Sequence, residues 1–349
     1  MSNEKPVFHW ENDVADANGG GRVTIYDVAS KAGVSTATAS KALNDTGRMS
    51  AETRARIRRV AEELGFRPNA LARSLTSKRS FTVGLLTDDT YGRFTLPVMA
   101  GVSEGLIDQG VSVFLCSVGG DPALARIHVD AMLDKQVDGI IATGKRVDRP
   151  LPVDLSKVPV PVVYVLTEGP AGTITLVPDE RQGAGEAVRH LAARGCRRIA
   201  HITGPEHFLV VRERAFSYRQ TLEAAGLEMP AAGVLCGTWS EHWGHEAIAR
   251  LWAFDERPDG IFCGNDQIAR GVMDALRERG VAIPHDVAVV GFDNWEIVAE
   301  ETRPPLTTID MNLKELGRQA GLTLVRLVNG EEIERGLLQL PCKLVVRSS

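Results

Sequence analysis

Two sets of side chains carry residue types and spacings that could do chemistry. The first is Thr36, Ala37, Thr38, Ser40 and Lys41. Their hydroxyls can donate or accept at base edges and phosphates, and Ala or Thr methyls can touch thymine methyls. Side chains this small also let a helix seat deeply against a partner. Arg22, Lys31, Arg48, Arg54 and Arg58 surround them and can neutralise phosphates. The second set stands where apolar runs end: Asp88, Asp89, Arg93, Lys145, Thr203, Trp239, Asn265, Asp266, Asp293 and Trp295. Arg, Asn and Asp offer forked donors and acceptors suited to vicinal hydroxyls. Trp offers a flat apolar face for a pyranose ring.

Local signals say what positions the first set. Thr24 and Asp27 have capping-box spacing, which predicts a helix from Ile25 to about Ala32 that stops at Gly33. Ser35 caps a second helix, Thr36 to Leu43, and Ser50 a third with Glu52 in its first turn. Ile57, Val60, Ala61 and Leu64 make one apolar face of that third helix. Three short helices with a tight Gly-Val turn between the first two form a helix-turn-helix, whose second helix enters the major groove. In the following stretch Pro68 breaks helix and Asn69 can cap one or two turns from Ala70 to Leu75. So short a helix is marginal alone and needs a partner.

From Phe81 onward the rhythm changes. Runs such as FTVGLL, VSVFLC, DGIIAT, RIAHIT, DGIFCG and VAVVGF alternate with amphipathic stretches such as GAGEAVRHLAARG. Continuous apolar strands between helices indicate parallel sheets covered on both faces. With VPVVYVL and GVLCG there are eight such runs, more than one comfortable sheet, so two α/β lobes with a cleft between them are expected. Ligands of such sheets bind beyond the carboxyl ends of the strands, where the second polar set stands.

Charge separates the two parts. The 349 residues carry a net charge of -5, yet residues 22–79 hold twelve basic against five acidic side chains. A basic front on an acidic body points to a polyanion partner for the front alone. The five cysteines include no C-x-x-C pair and read as buried free thiols of a reducing cytoplasm. No export signal or membrane-length apolar run is seen. Enzyme signatures are missing too: G-x-S-x-G, H-E-x-x-H and the P-loop do not occur, and GAGEAV lacks dinucleotide-loop spacing. His242 and His245 are two ligands short of a metal site. No catalysis, metal or cofactor is expected.

The stretches VTIYDVASKAGVSTATASKALN and SAETRARIRRVAEELGFRPNALARSL resemble the head and hinge of the lactose-repressor (LacI/GalR) family of bacterial transcription regulators. The resemblance continues through FCGNDQIARGVMDALRERGVAIPHDVAVVGFDN, PPLTTI and LVVRSS. It implies an all-α helix-turn-helix head on a two-lobed, periplasmic-binding-protein-like α/β core with parallel sheets and helices on both faces. The implied organisation is a tail over 1–21, the head over 22–68, and a hinge helix and linker over 69–80. The core is 81–349, with a first lobe of about 81–180 and 309–328 and a second of about 181–308 and 329–349. The implied function is a homodimeric regulator that binds double-stranded operator DNA and is released by a small molecule, most naturally a sugar. The corepressor switch of purine-responsive relatives is the alternative, and a sugar-binding protein or enzyme a more distant one.

The resemblance also implies roles. Thr24, Tyr26, Ser35 and Asn44 join the recognition-helix residues as DNA contacts. Asn69 caps the hinge helix, Ala72 lies at the hinge contact, and Leu75 wedges into the central base step from the minor groove. In the core, Asp89, Phe94, Arg212, Trp239, Asn265 and Asp293 are the implied effector contacts. The recognition helix departs from the family: Ala39-Ser40-Lys41 replaces a frequent Val-Ser-Arg, and Lys cannot form the bidentate contact of Arg. The operator therefore does not transfer from a relative. Leu75→Ala should weaken specific operator binding and spare effector binding; operator affinity equal to the parent's would remove the wedge role.

Overall fold

Side-chain caps set the bounds of the first three helices. The computed structural model describes residues 23–66 and 79–349, and the chain divides into two units, Met1–Lys78 and Arg79–Ser349. In the first unit α1 (Ile25–Ala32) begins where the Asp27 carboxylate accepts from both the N–H and the hydroxyl of Thr24, each at 2.7 Å. Gly33 closes it at φ 65, a left-handed conformation that costs glycine little. Ser35 Oγ accepts the Thr38 N–H at 3.1 Å to start α2 (Thr36–Leu43), and Ser50 Oγ accepts the Thr53 N–H at 3.1 Å to start α3 (Ala51–Glu63).

These helices bury Val28, Ala29, Ala32, Ala39, Ala42, Ile57 and Ala61. The inner face of α2 is therefore alanine, which lets it lie close to α1 and α3. Part of the small-residue run serves this packing rather than an outside partner. The tail over 1–21, Arg22 and the hinge residues Asn69, Ala72 and Leu75 lie outside the described residues.

The second unit contains two six-stranded sheets. Its elements are β1 (Thr82–Thr87), α4 (Thr95–Leu106), β2 (Ser112–Ser117), α5 (Pro122–Asp134), β3 (Gly139–Arg146), β4 (Val162–Thr167) and β5 (Ile174–Pro178). There follow α6 (Glu180–Ala193), β6 (Ile199–Thr203), α7 (Leu209–Ala224), β7 (Val234–Cys236), α8 (Glu241–Leu251), β8 (Gly260–Cys263), α9 (Asp266–Glu278) and β9 (Ala288–Asp293). Last come α10 (Glu296–Ala299), β10 (Thr307–Asp310), α11 (Leu313–Val328), β11 (Gly336–Leu340) and β12 (Lys343–Val345). The first sheet runs β11-β5-β4-β3-β1-β2 and the second β12-β10-β9-β8-β6-β7. All pairings are parallel except β10 with β12.

The chain crosses between the sheets three times: after β5, after β10 and after β11. This corrects the expected lobe division. β11 was assigned to the second lobe with residues 329–349, but it pairs along β5, with Gly336 opposite Ile174, and extends the first sheet. Residues 309 and 310 were assigned to the first lobe, yet they complete β10 beside β9. One core runs through the crossings, from Leu85 and Leu176 through Leu340 and Cys342 to Ile309 and Phe292. Among the described residues no helix is long and apolar enough to cross a membrane.

α4 and α11 meet along glycines. A Cβ on Gly101 would strike the carbonyl oxygen of Lys314, and one on Gly317 that of Val98. Alanine normally improves a helix interior over glycine by roughly 1 kcal/mol. Here the sign should reverse: Gly317→Ala should lower unfolding free energy by about 2 kcal/mol, because two backbones must separate. Urea denaturation of the variant would measure this.

Candidate functional site

In the first unit, α2 divides its residues cleanly. Ala39 and Ala42 are buried, whereas Ala37, Lys41 and Asn44 are exposed and Thr36, Thr38 and Ser40 half-exposed. Tyr26 on α1 is 72% exposed, and Thr24 and Ser35 are exposed beside it. The polar residues expected to contact DNA, among those described, thus lie on outer surface, with the hydroxyls of Thr24, Ser35, Thr38 and Ser40 partly engaged. Thr38 Oγ1 pairs with Ser35 Oγ at 2.8 Å, and Ser40 Oγ accepts from Asn44 Nδ2 at 3.3 Å.

Three of the expected phosphate-neutralising cations have protein partners. Arg54 and Arg58 both converge on Asp45, and Lys31 pairs with Glu63 at 3.0 Å. Asp45 has φ 56, and Arg54 also donates to the Gly47 carbonyl. The two arginines thus pin the turn after α2. Arg48 is exposed, with no ion pair among the described residues.

In the second unit a cavity of about 300 Å³ opens beyond the carboxyl ends of the strands of both sheets. Phe94, Phe208 and Trp239 give it aromatic walls, and Leu166, Val147, Val210 and Met311 apolar ones. Phe208 meets Trp239 edge-on, with centroids 5.8 Å apart. Between these walls stand Arg93, Lys145, Arg146, Asp148, Glu180, Arg214, Asn265 and Asp293.

The cavity arginines are neutralised by protein carboxylates. Arg214 Nε donates to Glu180 Oε2 at 2.6 Å, Nη1 donates to the Gly264 carbonyl, and the guanidinium lies 3.6 Å from the Phe292 ring centroid. Arg146 donates twice to Asp148, both at 3.1 Å, and lies 4.0 Å over Phe208. Arg93 pairs with Asp293 through Nη2 and donates to Gln267 Oε1 through Nη1 at 3.1 Å.

Burial raises the Glu180 carboxyl above its usual range, with Arg214 opposing, and it raises Asp293 against Arg93 and Arg214. Asp148 is also pushed up by burial, but hydrogen bonds from Arg146 and the Leu209 N–H outweigh this and hold it low. Glu180 Oε1 is buried with no hydrogen-bond donor among the described residues. An orphaned acceptor on a cavity wall suits a donor brought by a ligand.

Of the six expected effector residues, the structure brings four to the cavity: Phe94, Trp239, Asn265 and Asp293. Asn265 Oδ1 also caps α9 by accepting the Ile268 N–H at 2.8 Å. Arg212 is not among them. It is exposed and donates to the His207 carbonyl at 2.9 Å, while Arg214 lines the cavity. Residues two positions apart on a helix are separated by about 200°, so the two arginines of VVRERAF face opposite ways. Asp89 is also off the wall: buried, it accepts the N–H groups of Phe94 and Thr95 at 2.8 and 3.1 Å and organises the start of α4.

Other strand-end residues support the wall from behind. Asp266 accepts from the Thr308 hydroxyl and the Trp295 N–H, and Trp295 lies under the Arg93 guanidinium at 4.7 Å. Glu180, Asp148, Phe208 and Arg214 were missed by sequence reasoning. A usable signal existed for Glu180: DE directly after an apolar stretch, at a helix start. Trp243 is buried and donates Nε1 to the Thr203 carbonyl at 2.9 Å, a packing role. Among the described residues no three His, Cys, Asp or Glu side chains are grouped to hold a metal.

Comparison with known proteins follows the same division. Residues 24–69 match the family described as bacterial regulatory proteins, lacI family, and residues 188–349 match a periplasmic binding protein-like domain. Catabolite control protein A of Priestia megaterium is 32% identical over 329 residues, 94% of this chain and 99% of that one. The solved lac repressor dimer bound to operator and the anti-inducer ONPF superposes with TM-score 0.69 at 27% identity, covering 94% of this chain and 99% of that chain. A transcriptional regulator CelR–cellobiose complex gives TM-score 0.65 at 30% identity, covering 94% and 100%.

Asp266 generates a pH prediction. Burial, then the neighbouring Asp293, raises its carboxyl to about 8. The folded chain therefore holds a proton that the unfolded chain releases near pH 4, and stability should fall as pH rises from about 4 to about 8. Asp266→Asn keeps the shape without the titration. In urea denaturation at pH 5 and pH 8 its stability should change less than the parent's.

Proposed function

Since the chain belongs to the LacI family and is a DNA-binding transcriptional regulator, we propose that it is a repressor released by an uncharged carbohydrate of one or two rings. The carbohydrate occupies the cavity between the lobes. The observation that carries this reading is the cavity itself. Three aromatic walls offer flat apolar faces, and between them stand forked polar groups whose arginines already have carboxylate partners. A sugar ring matches this: apolar on its faces, hydroxylated round its edge, and without charge. A ligand carboxylate or phosphate would have to compete with an existing ion pair at each of the three arginines, and Lys145, which has no ion pair among the described residues, can donate to a hydroxyl. The CelR relative bound to cellobiose supports the same class.

The exposed face of α2 reads the operator through Thr36, Ala37, Ser40 and Lys41. One head reads only half of a site, so two copies act on a pseudo-palindrome. The regulator works in the cytoplasm, where its DNA is. Sugar and operator affinities are coupled reciprocally.

The test starts by selecting an operator from random duplexes with the full-length protein. The complex is then titrated with glucose, ribose, cellobiose and purine bases, followed by fluorescence anisotropy. A sugar should lower operator affinity. A ligand that raises it would make the protein a corepressor switch, and a response to purines alone would overturn the carbohydrate reading. Trp239→Ala should raise the half-effective sugar concentration about tenfold, roughly 1.4 kcal/mol, with ligand-free operator binding unchanged. Lys41→Ala should do the reverse, weakening the operator complex and sparing the sugar.

A further inference from the structure

Among the described residues a single ion pair joins the two lobes: Arg93, in the turn between β1 and α4, with Asp293 at the end of β9. Their side chains are 16% and 9% exposed. The guanidinium is held on several sides at once. Asp293 and Gln267 accept from its two Nη groups, the Trp295 ring lies 4.7 Å away, and the Phe94 ring lies 5.2 Å away. Gln267, Asp293 and Trp295 belong to the second lobe, so one first-lobe side chain makes three second-lobe contacts.

The receiving end is built. Asp293 sits at φ 106 and Asn294 at φ 51, conformations that cost a non-glycine residue and persist only where neighbours enforce them. Asn294 is held by Asp310 through Nδ2 at 3.2 Å and by Arg347 through Oδ1 at 3.0 Å. The turn therefore aims the Asp293 carboxylate at the cleft. Behind it lies the buried Asp266. Separating the lobes would break the contacts of Arg93 with Asp293, Gln267 and Trp295 together, and the strained turn would lose the cation it is aimed at.

We propose that Arg93 is an inter-lobe latch that stabilises the closed arrangement of the two lobes. Arg93 is a positioning residue here, acting through Asp293 and Gln267. The inference goes beyond the carbohydrate reading and does not need it, because both ends of the latch are side chains of this chain.

The test uses the full-length protein without DNA or sugar, by small-angle X-ray scattering and amide hydrogen exchange. Arg93→Gln and Asp293→Asn should each enlarge the radius of gyration. Each should also speed exchange at the Phe94 and Trp295 amides about tenfold, a sign of local opening, with the amides of β3 unchanged. Arg93→Lys, which keeps the charge but loses the fork that reaches Asp293 and Gln267 together, should fall between the parent and Arg93→Gln. The double variant Arg93→Gln with Asp293→Asn should open no further than either single one, since both remove the same contact. Parent-like scattering and exchange in Arg93→Gln, or additive effects in the double variant, would overturn the latch. Should Arg93→Gln fail to fold, Gln267→Leu weakens the same grip, and an unchanged profile there would count equally against it. A latch that fails leaves the sugar titration untouched, and a failed titration leaves the latch untouched.

Discussion

The second unit depends on matching cations to carboxylates inside a desolvated cleft. A guanidinium removed from water is tolerated only where a carboxylate and further acceptors surround it. Arg214 obtains this from Glu180 and Gly264, Arg146 from Asp148, and Arg93 from Asp293 and Gln267. Each match also fixes geometry. Arg214 ties α7 to the start of α6, and Asp148 reaches from the end of the first sheet to the first N–H of α7. The polar wall is held by these pairs, and the aromatic faces are left for a guest.

The head solves a different problem with the same economy of size. Alanine on the inner side of α2 allows close helix packing, and short polar side chains on the outer side leave its backbone approachable. One stretch of small residues thus meets two demands from opposite directions. The arginines of α3 gripping Asp45 add a third element, since they hold the turn that follows α2 and thereby the end of the helix. For a duplex, this means that part of the head's positive charge is already spent on shape.

Much of this was legible in the residues themselves. The starts of α1, α2 and α3 follow from Thr24, Ser35 and Ser50, and the end of α1 from Gly33, because caps are local chemistry. The apolar runs became strands: the inner ones because burial on both faces demands continuous hydrophobicity, whereas the edge strands β2 and β7 are only partly buried. β5, β10, β11 and β12 were harder: TTID and KLV are short, and GLLQL is mostly exposed at a sheet edge. Phe94, Trp239, Asn265 and Asp293 reached the cavity because strand ends converge there. Arg212 and Asp89 did not, for reasons no strand-end rule contains: helical phase in one case and a backbone-capping role in the other.

The triple crossing has a consequence for how the chain is assembled. Neither lobe is a contiguous stretch, and residues 336–349 supply an outer strand to both sheets. Neither half is therefore complete until that one short segment has threaded across both. The two lobes mature together, and a lesion in this segment strips an edge from each of them in one stroke.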